Sequence, residues 1–301
     1  MTSSSSPTTG HFMGIGYPQW IKLVVYSLLL VNFGNYVLLD INQVSHTYHE
    51  GWRWFDWTSA FATTLDELGW FVLLFLLELE TYVLSDAAFT PFWVRFMKVV
   101  RVLCYLVIGH AVVAYAEYLH DLLNSIEHVG ISLCSFVDQG LSAARNLAYQ
   151  ELDATNCKSF STDTTFYIFS QGQVITDTAG MGVEFELAWA DIAEVLLWLL
   201  ILALIEVRLQ LQDRGVSQGR LLSFAENAKY FLYSGLWLIA GYWAFRGHWL
   251  FAWDEALWIL GFMAIGMNLS QWREEIVVAA SPGQEIDIAS ITLRYDGLRE
   301  I

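Results

Sequence analysis

The chain has 301 residues, of which 55% are hydrophobic and only 15% are charged, and its formal net charge at pH 7 is −16. Soluble domains carry about 25% charged residues, so the composition argues against a soluble globular domain. We also expect no nucleic-acid partner.

Six apolar segments have about the length that a membrane-spanning helix needs. Such a helix takes about 20 mostly apolar residues to cross a hydrocarbon core roughly 30 Å thick. After a Ser/Thr-rich flexible segment at residues 1–19, the sequence predicts six spans, grouped as 20–118 (three spans) and 187–272 (three spans). The spans are Trp20–Leu39, Thr64–Leu84, Trp93–Tyr118, Leu187–Leu211, Phe224–Phe245 and Leu250–Leu269. The predicted fold class is therefore an all-α polytopic membrane protein.

The distribution of lysine and arginine predicts the orientation. Cytoplasmic loops are enriched in these residues, and most of them fall on one side when the N-terminus is placed in the cytoplasm. Both termini are then cytoplasmic, including a tail at 273–301, and residues 119–186 face the periplasm. Acidic residues concentrate in this outer segment, as a solvated face or as a funnel that attracts cations.

The outer segment is predicted to form a small acidic α/β domain. Apolar residues recur at helical spacing over Asp121–Leu152, which predicts one or two amphipathic helices. Thr164–Asp177 has two β-rich runs around a turn, which predicts a hairpin. Cys134 and Cys157 face an oxidising compartment, so they are expected to form a disulfide, whereas Cys104 is expected to be a buried thiol.

A parallel duplication of two helical hairpins is a further expectation. Shifting the chain by 128 residues superimposes the second and third spans on the fourth and fifth. The polar and aromatic matches are Asp66 with Glu194, Trp70 with Trp198, Glu78 with Glu206, Arg101 with Lys229 and Tyr105 with Tyr233. Internal repeats are common in transporters.

Ionisable residues within spans are the default candidates for function in a membrane protein. The duplication predicts two matched pairs, Glu78 with Arg101 and Glu206 with Lys229. Each pair is either an ion pair that joins a hairpin or part of a cation or proton relay. His110, near the middle of the third span, is either a proton shuttle or a hydrogen-bonding residue between helices.

A second group of acids lies where helices begin at the predicted outer face. These residues either stabilise helix N-termini through the macrodipole or form an acidic ring at the entrance of a pore. They are Asp66, Glu67, Asp191, Glu194, Asp254 and Glu255.

Trp253–Glu274, Glu78-Leu79-Glu80-Thr81 and Glu206-Val207-Arg208 resemble segments of a set of bacterial six-helix inner-membrane proteins. The resemblance implies a location in the bacterial inner membrane. It implies no chemistry.

The expected function is that of a channel-type or carrier-type subunit for a small cation or a proton. The alternative is a non-catalytic accessory or scaffold subunit that docks through its outer domain and helices. The chain has no phosphate-binding loop and no nucleophile or metal motif, so we expect no enzyme activity, cofactor or metal. The expected surroundings are the lipid bilayer and either further copies of the chain or another membrane subunit.

Overall fold

The computed structural model describes residues 11–12, 15–79, 90–171, 173–213 and 220–263, and most of these residues are helical. Two antiparallel strands of two residues each precede the first helix. They are β1 (His11–Phe12) and β2 (Ile15–Gly16). The helices are α1 (Tyr17–Thr47), α2 (Trp54–Ala60), α3 (Ala62–Glu78), α4 (Pro91–Leu123), α5 (Cys157–Phe160), α6 (Thr178–Asp213), α7 (Arg220–Phe245) and α8 (249–263).

Three helices within the described residues are long and apolar enough to cross a membrane. They cover Leu23–Thr47, Pro91–Leu123 and Thr178–Val207. α2 and α3 meet at an angle of 74°. If they form one broken span, they make a fourth candidate. The predicted fifth and sixth spans correspond to α7 and α8, but the count of six, the orientation and the kind of membrane remain predictions. The predicted tail at 273–301 lies outside the described residues.

The helices pack around one apolar core. Its buried residues come from α1, α3, α4, α6, α7 and α8, with Ile108, Leu236 and Ile259 fully buried. Gly69 allows α3 and α4 to approach closely, because a Cβ there would stand 2.9 Å from Cγ1 of Ile108. The opposite faces of these helices expose large apolar side chains, as expected for helices covered by lipid.

A five-stranded mixed sheet lies between α4 and α6. Its strands are β3 (Ile126–Val129), β4 (Ser142–Arg145), β5 (Ala148–Glu151), β6 (Thr165–Ile168) and β7 (Val174–Asp177). Their order is β3-β6-β7-β4-β5, and only β4 and β7 pair in parallel. We call residues 124–177 the sheet domain. The predicted hairpin over Thr164–Asp177 is confirmed, since β6 and β7 pair antiparallel with Tyr167 opposite Thr176.

The prediction of amphipathic helices over Asp121–Leu152 is wrong. α4 ends at Leu123, and the segment continues as β3, a 3-10 helix over Leu133–Gln139, β4 and β5. Gly130 and Gly140 adopt positive φ angles of 75° and 67°, which interrupt any continuous helix. The helical spacing of apolar residues misled because each run is short. β3 and β4 instead pair with the distant β6 and β7, and β5 pairs with β4.

The expected disulfide is confirmed, and it joins the 3-10 helix to α5. Cys134 and Cys157 are bonded, with a sequence separation of 23 residues. Cys157 is buried in the core of the sheet domain beside Leu133, Phe136 and Phe166. Cys104 is free and buried in α4, as expected.

The turn between β4 and β5 fastens the sheet domain to the helices. Asn146 and Leu147 both adopt left-handed backbone conformations, with φ angles of 56° and 57°. The Leu147 side chain packs against a cluster around Trp243, and its N–H donates to Oε1 of Glu184 at 3.2 Å. Nδ2 of Asn146 donates to the carbonyl oxygen of Arg246 at 3.0 Å. The turn is thereby fixed to α6 and to the residues after α7.

Candidate functional site

Acidic and tryptophan residues share one face on three helices. α3 carries Asp66, Glu67 and Trp70, and α8 repeats that spacing with Asp254, Glu255 and Trp258. α6 carries a looser version, Asp191, Glu194 and Trp198. Residues three or four positions apart lie on the same helix face, so each helix presents carboxyl groups one turn away from an indole ring.

The structure brings the six acids together. All of them line a small chamber of about 60 Å³ between the helices, together with Tyr36, Tyr115 and several tryptophans. We call this space the acid chamber. One water molecule needs roughly 10–15 Å³ of such space, so the chamber has room for more than one. The six residues thus lie in one enclosed space rather than apart at separate helix ends.

Indole N–H groups from neighbouring helices fix three of the carboxyl groups. Nε1 of Trp198 donates to Glu255 at 3.1 Å, and Nε1 of Trp258 donates to Glu67 at 3.2 Å. Nε1 of Trp243, on α7, donates to Glu194 at 2.5 Å. An indole has one donor and no acceptor, so each bond stabilises a carboxyl oxygen without adding charge.

α1 completes the wall of the acid chamber. Nδ2 of Asn32 donates to Asp254 at 2.7 Å, and both residues are buried. One turn toward the sheet domain, the ring of Tyr36 packs against Phe251 with 5.6 Å between centroids. Asp40 lies one further turn along and accepts from both N and Oγ1 of Thr64, which ties α1 to the start of α3.

Some carboxyl oxygens in the acid chamber lack a donor. Oδ1 of Asp66 and Oε1 of Glu255 are buried and receive no hydrogen bond within the described part of the chain. The carboxyl group of Glu67 lies next to that of Asp254, and the carboxyl group of Glu194 lies next to that of Glu255. Two carboxyl groups can form a hydrogen bond only when one of them carries a proton.

The described residues that line the acid chamber include no lysine, arginine or histidine. Burying an uncompensated charge costs several kcal/mol per ion in proteins. Six carboxylates in one enclosed space therefore cannot all be ionised and bare. The arrangement requires protons or bound cations among the acids.

A larger cavity lies between the acid chamber and the sheet domain. It has a volume of about 660 Å³ and is lined by residues of α1, α2, α3, α4, α6, α8, β5 and the loop that joins β6 to β7. We call it the vestibule. Tyr36, Thr63, Tyr115, Asp191 and Phe251 line both spaces, so these five residues lie at the boundary between them, which we call the neck. Across the neck, the hydroxyl groups of Thr63 and Tyr115 are 3.3 Å apart.

Aromatic rings close the other end of the acid chamber. Trp70 lies 5.4 Å from Trp198, 6.3 Å from Trp258 and 5.6 Å from Phe262, measured between ring centroids. These rings belong to the apolar core that joins α3, α6 and α8. In the described residues, the acid chamber therefore adjoins the vestibule on one side and packed rings on the other.

The residues predicted to form intramembrane pairs lie away from the acid chamber. Glu78 is at the end of α3, where the hydroxyl of Tyr26 donates to its Oε1 at 2.6 Å. Nζ of Lys229 lies 5.7 Å from the ring centroid of Tyr230. Arg101 and Glu206 are on α4 and α6. A role for these residues, or for the two pairs, remains a prediction.

His110 lines neither cavity. Its ring contacts Phe55 edge to face with 5.2 Å between centroids, and its Nε2 is buried without a partner among the described residues. The expected proton relay through His110 stays untested.

Several residues of the site were not among the site residues predicted from the sequence. They are Asn32, Tyr36, Asp40, Thr63, Trp70, Tyr115, Trp198, Trp243 and Trp258. One signal was available: the spacing Asp-Glu-x-x-Trp occurs in both α3 and α8, and it places an indole on the face that carries the acids. Asn32, Asp40 and Tyr115 gave no such signal, since a single polar residue in an apolar helix does not reveal its partner.

No known protein family, curated protein or solved structure matches the chain. Among the described residues, no group of three or more histidines, cysteines or acids is placed to hold a metal ion. The site must therefore be interpreted from its own geometry.

Proposed function

We propose that this chain is a proton-linked membrane carrier, in which the acid chamber takes up and releases protons through the vestibule. The observation that carries the proposal is the set of six carboxyl groups around one chamber with no basic residue among its described lining. Carboxyl groups inside a membrane are expensive to keep, and they commonly form proton relays.

Hydrogen bonding favours a proton over a larger cation. The carboxyl groups of Glu67 and Asp254 are neighbours, and they can form a hydrogen bond only if they share a proton. Oε1 of Glu255 lacks a donor, and the neighbouring carboxyl group is that of Glu194. A proton on Glu194 would allow it to donate a hydrogen bond to Glu255. The two contacts thus offer two places where protons can be held and exchanged.

Access from one side favours a carrier over an open channel. Among the described residues, the acid chamber adjoins the vestibule at the neck, whereas the rings of Trp70, Trp198 and Trp258 pack on its other side. A carrier exposes its site to one side at a time, near the middle of the membrane. Movement of α3, α6 and α8 against each other would separate these rings and expose the acids to the other side.

The surroundings that we propose are a bilayer and either further copies of the chain or a partner subunit. α7 exposes Phe231 (77%), Leu238 (76%) and Phe245 (82%). Lipid or another membrane helix would cover such a surface.

Proton flux into liposomes tests the proposal. The full chain is reconstituted with a pH-sensitive dye inside, and a potassium diffusion potential drives protons inward. We expect flux above that of empty liposomes, reduced about tenfold or more in Glu67→Gln and Glu255→Gln. The matched control is Glu151→Gln, since Glu151 is exposed on β5.

Three outcomes would count against the proposal. They are wild-type flux no greater than that of empty liposomes, unchanged flux in both chamber variants, and uptake of radiolabelled sodium without proton movement. Size-exclusion profiles and tryptophan fluorescence identify any variant that fails to fold. In that case Asp66→Asn, on the same chamber wall, takes its place.

A further inference from the structure

The size of the vestibule fits a small organic molecule. Ligand pockets typically measure about 300–1,000 Å³, and this cavity measures about 660 Å³. The sheet domain covers it with Tyr149, Phe169 and Gln171, and the helices form its other walls. The walls of the vestibule thus come from both the sheet domain and the helices.

The lining of the vestibule is strongly acidic. Five carboxylic acids line it, and its described lining contains no lysine or arginine. These acids are Asp40, Asp56, Glu117, Asp121 and Asp191. An anionic ligand would be repelled from such a cavity, and a cationic one attracted.

Two of these acids, Glu117 and Asp121, form no ion pair with a lysine or arginine among the described residues. Glu117 accepts a hydrogen bond from Ser59 at 3.1 Å, and Asp121 accepts one from Ser170 at 2.6 Å, so both partners are neutral. Asp56 differs, because it forms an ion pair with Arg53 at 3.2 Å. Glu117 interacts with Arg53 only at longer range, so a cation bound in the vestibule would be the direct partner of Glu117 and Asp121.

His248 adds a polar atom but no charge. Burial lowers its pKa, and the nearby Arg246 lowers it further, so its ring is neutral at pH 7. The side chain lines the vestibule, and its Nε2 is buried without a partner among the described residues. A neutral imidazole nitrogen can donate to or accept from a ligand.

Aromatic rings supply the remaining recognition. Trp52, Tyr115, Tyr149 and Phe169 line the vestibule alongside the acids. The faces of such rings attract organic cations electrostatically, and their area covers an apolar body. A small inorganic ion would gain little from these walls, since it keeps its hydration shell.

We infer that the vestibule is a binding site for an organic cation, an amine or quaternary ammonium compound with an apolar body. Asp191, Tyr36 and Tyr115 line the vestibule and the acid chamber alike, so a bound cation would lie beside the proton site. Exchange of this cation for protons rests on the proposed function, whereas its binding does not.

Calorimetry on the full chain in lipid nanodiscs at pH 7 tests the inference. The probes are benzyltrimethylammonium, its neutral analogue with carbon in place of nitrogen, and benzenesulfonate, each corrected with empty nanodiscs. We expect saturable binding of the ammonium compound, about tenfold tighter than the neutral analogue, and none of the sulfonate.

Vestibule variants locate the site. Glu117→Gln and Asp121→Asn should each weaken binding of the ammonium compound by about fivefold to tenfold. The control Asp138→Asn, at an exposed acid on the 3-10 helix, should leave binding unchanged. Trp52→Leu tests the aromatic wall if a carboxyl variant fails to fold.

The inference is overturned if the neutral analogue binds as tightly as the ammonium compound, if no probe binds, or if the vestibule variants bind like the wild type. Binding without any proton flux in liposomes would overturn the proposed function alone. Proton flux without binding would overturn this inference alone.

Discussion

Nε1 of Trp258 donates a hydrogen bond of 3.2 Å to Oε2 of Glu67, which joins α8 to α3 across 191 positions of sequence. Both side chains are buried. The bond holds one carboxyl group of the acid chamber in place while the indole ring packs in the apolar core. A single tryptophan thus serves both the site and the fold.

Trp258→Phe should destabilise the protein by about 1–3 kcal/mol, because a buried carboxyl oxygen loses its donor while an aromatic ring still fills the space. Thermal unfolding in detergent, followed by tryptophan fluorescence, measures the loss. Trp253→Phe is the matched control, since Trp253 is 49% exposed and Trp258 only 6%. Equal effects of the two variants would show that the bond to Glu67 contributes nothing.

At position 147, glycine should be tolerated better than alanine. Leu147 has a φ of 57°, which costs a non-glycine residue roughly 1–2 kcal/mol. Leu147→Ala keeps that cost and loses the packing against Trp243, whereas Leu147→Gly loses the packing but relieves the backbone. We expect the glycine variant to be about 1 kcal/mol more stable than the alanine variant.

Val183 is the control for this ranking of glycine above alanine, because it packs in the same cluster but lies within α6. There alanine should be the better replacement, since glycine within a helix costs roughly 0.5–1 kcal/mol. The explanation of the turn is contradicted if alanine is also the better replacement at 147. Thermal unfolding of the glycine and alanine variants at positions 147 and 183 measures which replacement is more stable at each position.

Replacing both Cys134 and Cys157 by alanine should destabilise the sheet domain by about 3 kcal/mol. The bond closes a loop with a sequence separation of 23 residues, and such a constraint lowers the entropy of the unfolded chain. Limited proteolysis should then cut between residues 124 and 177. The control Cys104→Ala removes the free thiol in α4 and should leave residues 124–177 resistant to the protease. Equal cleavage of the two variants in this region would contradict the prediction.

Acid should weaken the start of α5 through Asp153. Hydrogen bonds from the Thr155 hydroxyl and from the backbone N–H groups of Asn156 and Thr155 lower the pKa of Asp153. Because the folded pKa is depressed, its contribution to stability is present above the unfolded pKa of about 3.9. The contribution is lost as the pH falls through the folded value.

Asp153→Asn removes this titration, so the stability difference from the wild type should be constant above about pH 5 and shrink below about pH 4. Thermal unfolding of the wild type and of Asp153→Asn across this pH range measures the difference. Asp138→Asn serves as the exposed control. A difference that stays the same at low pH would contradict the assignment to Asp153.

The sequence predicted the membrane helices better than the sheet domain. A long apolar stretch is decided locally, so the helices Pro91–Leu123 and Thr178–Val207 overlap the predicted spans Trp93–Tyr118 and Leu187–Leu211. β5 pairs with β4 across a two-residue turn, and the short run of β4 pairs with β7, which is distant in sequence. That pairing gives no local signal, so helical spacing was misread there.

The acid chamber illustrates what a single sequence cannot supply. Asp66 and Glu194 matched in the predicted duplication, and their helices do lie together, with Trp70 and Trp198 in ring contact. The chain contains Asp254 and Glu255 in the same spacing as α3, but nothing local indicates that α8 packs beside α3. The site arises from the packing of three helices, and sequence separation hides that packing.

Infrared spectroscopy of the reconstituted protein tests the central claim most directly, since the carbonyl stretch of a protonated carboxyl group is distinct from that of a carboxylate. At pH 7 we expect protonated carboxyl bands in the wild type that weaken in Glu67→Gln and in Glu255→Gln. Glu151→Gln, on the exposed surface of β5, should leave them unchanged. A spectrum without protonated carboxyl bands at pH 7, or with bands that neither chamber variant alters, would contradict a proton-holding acid chamber.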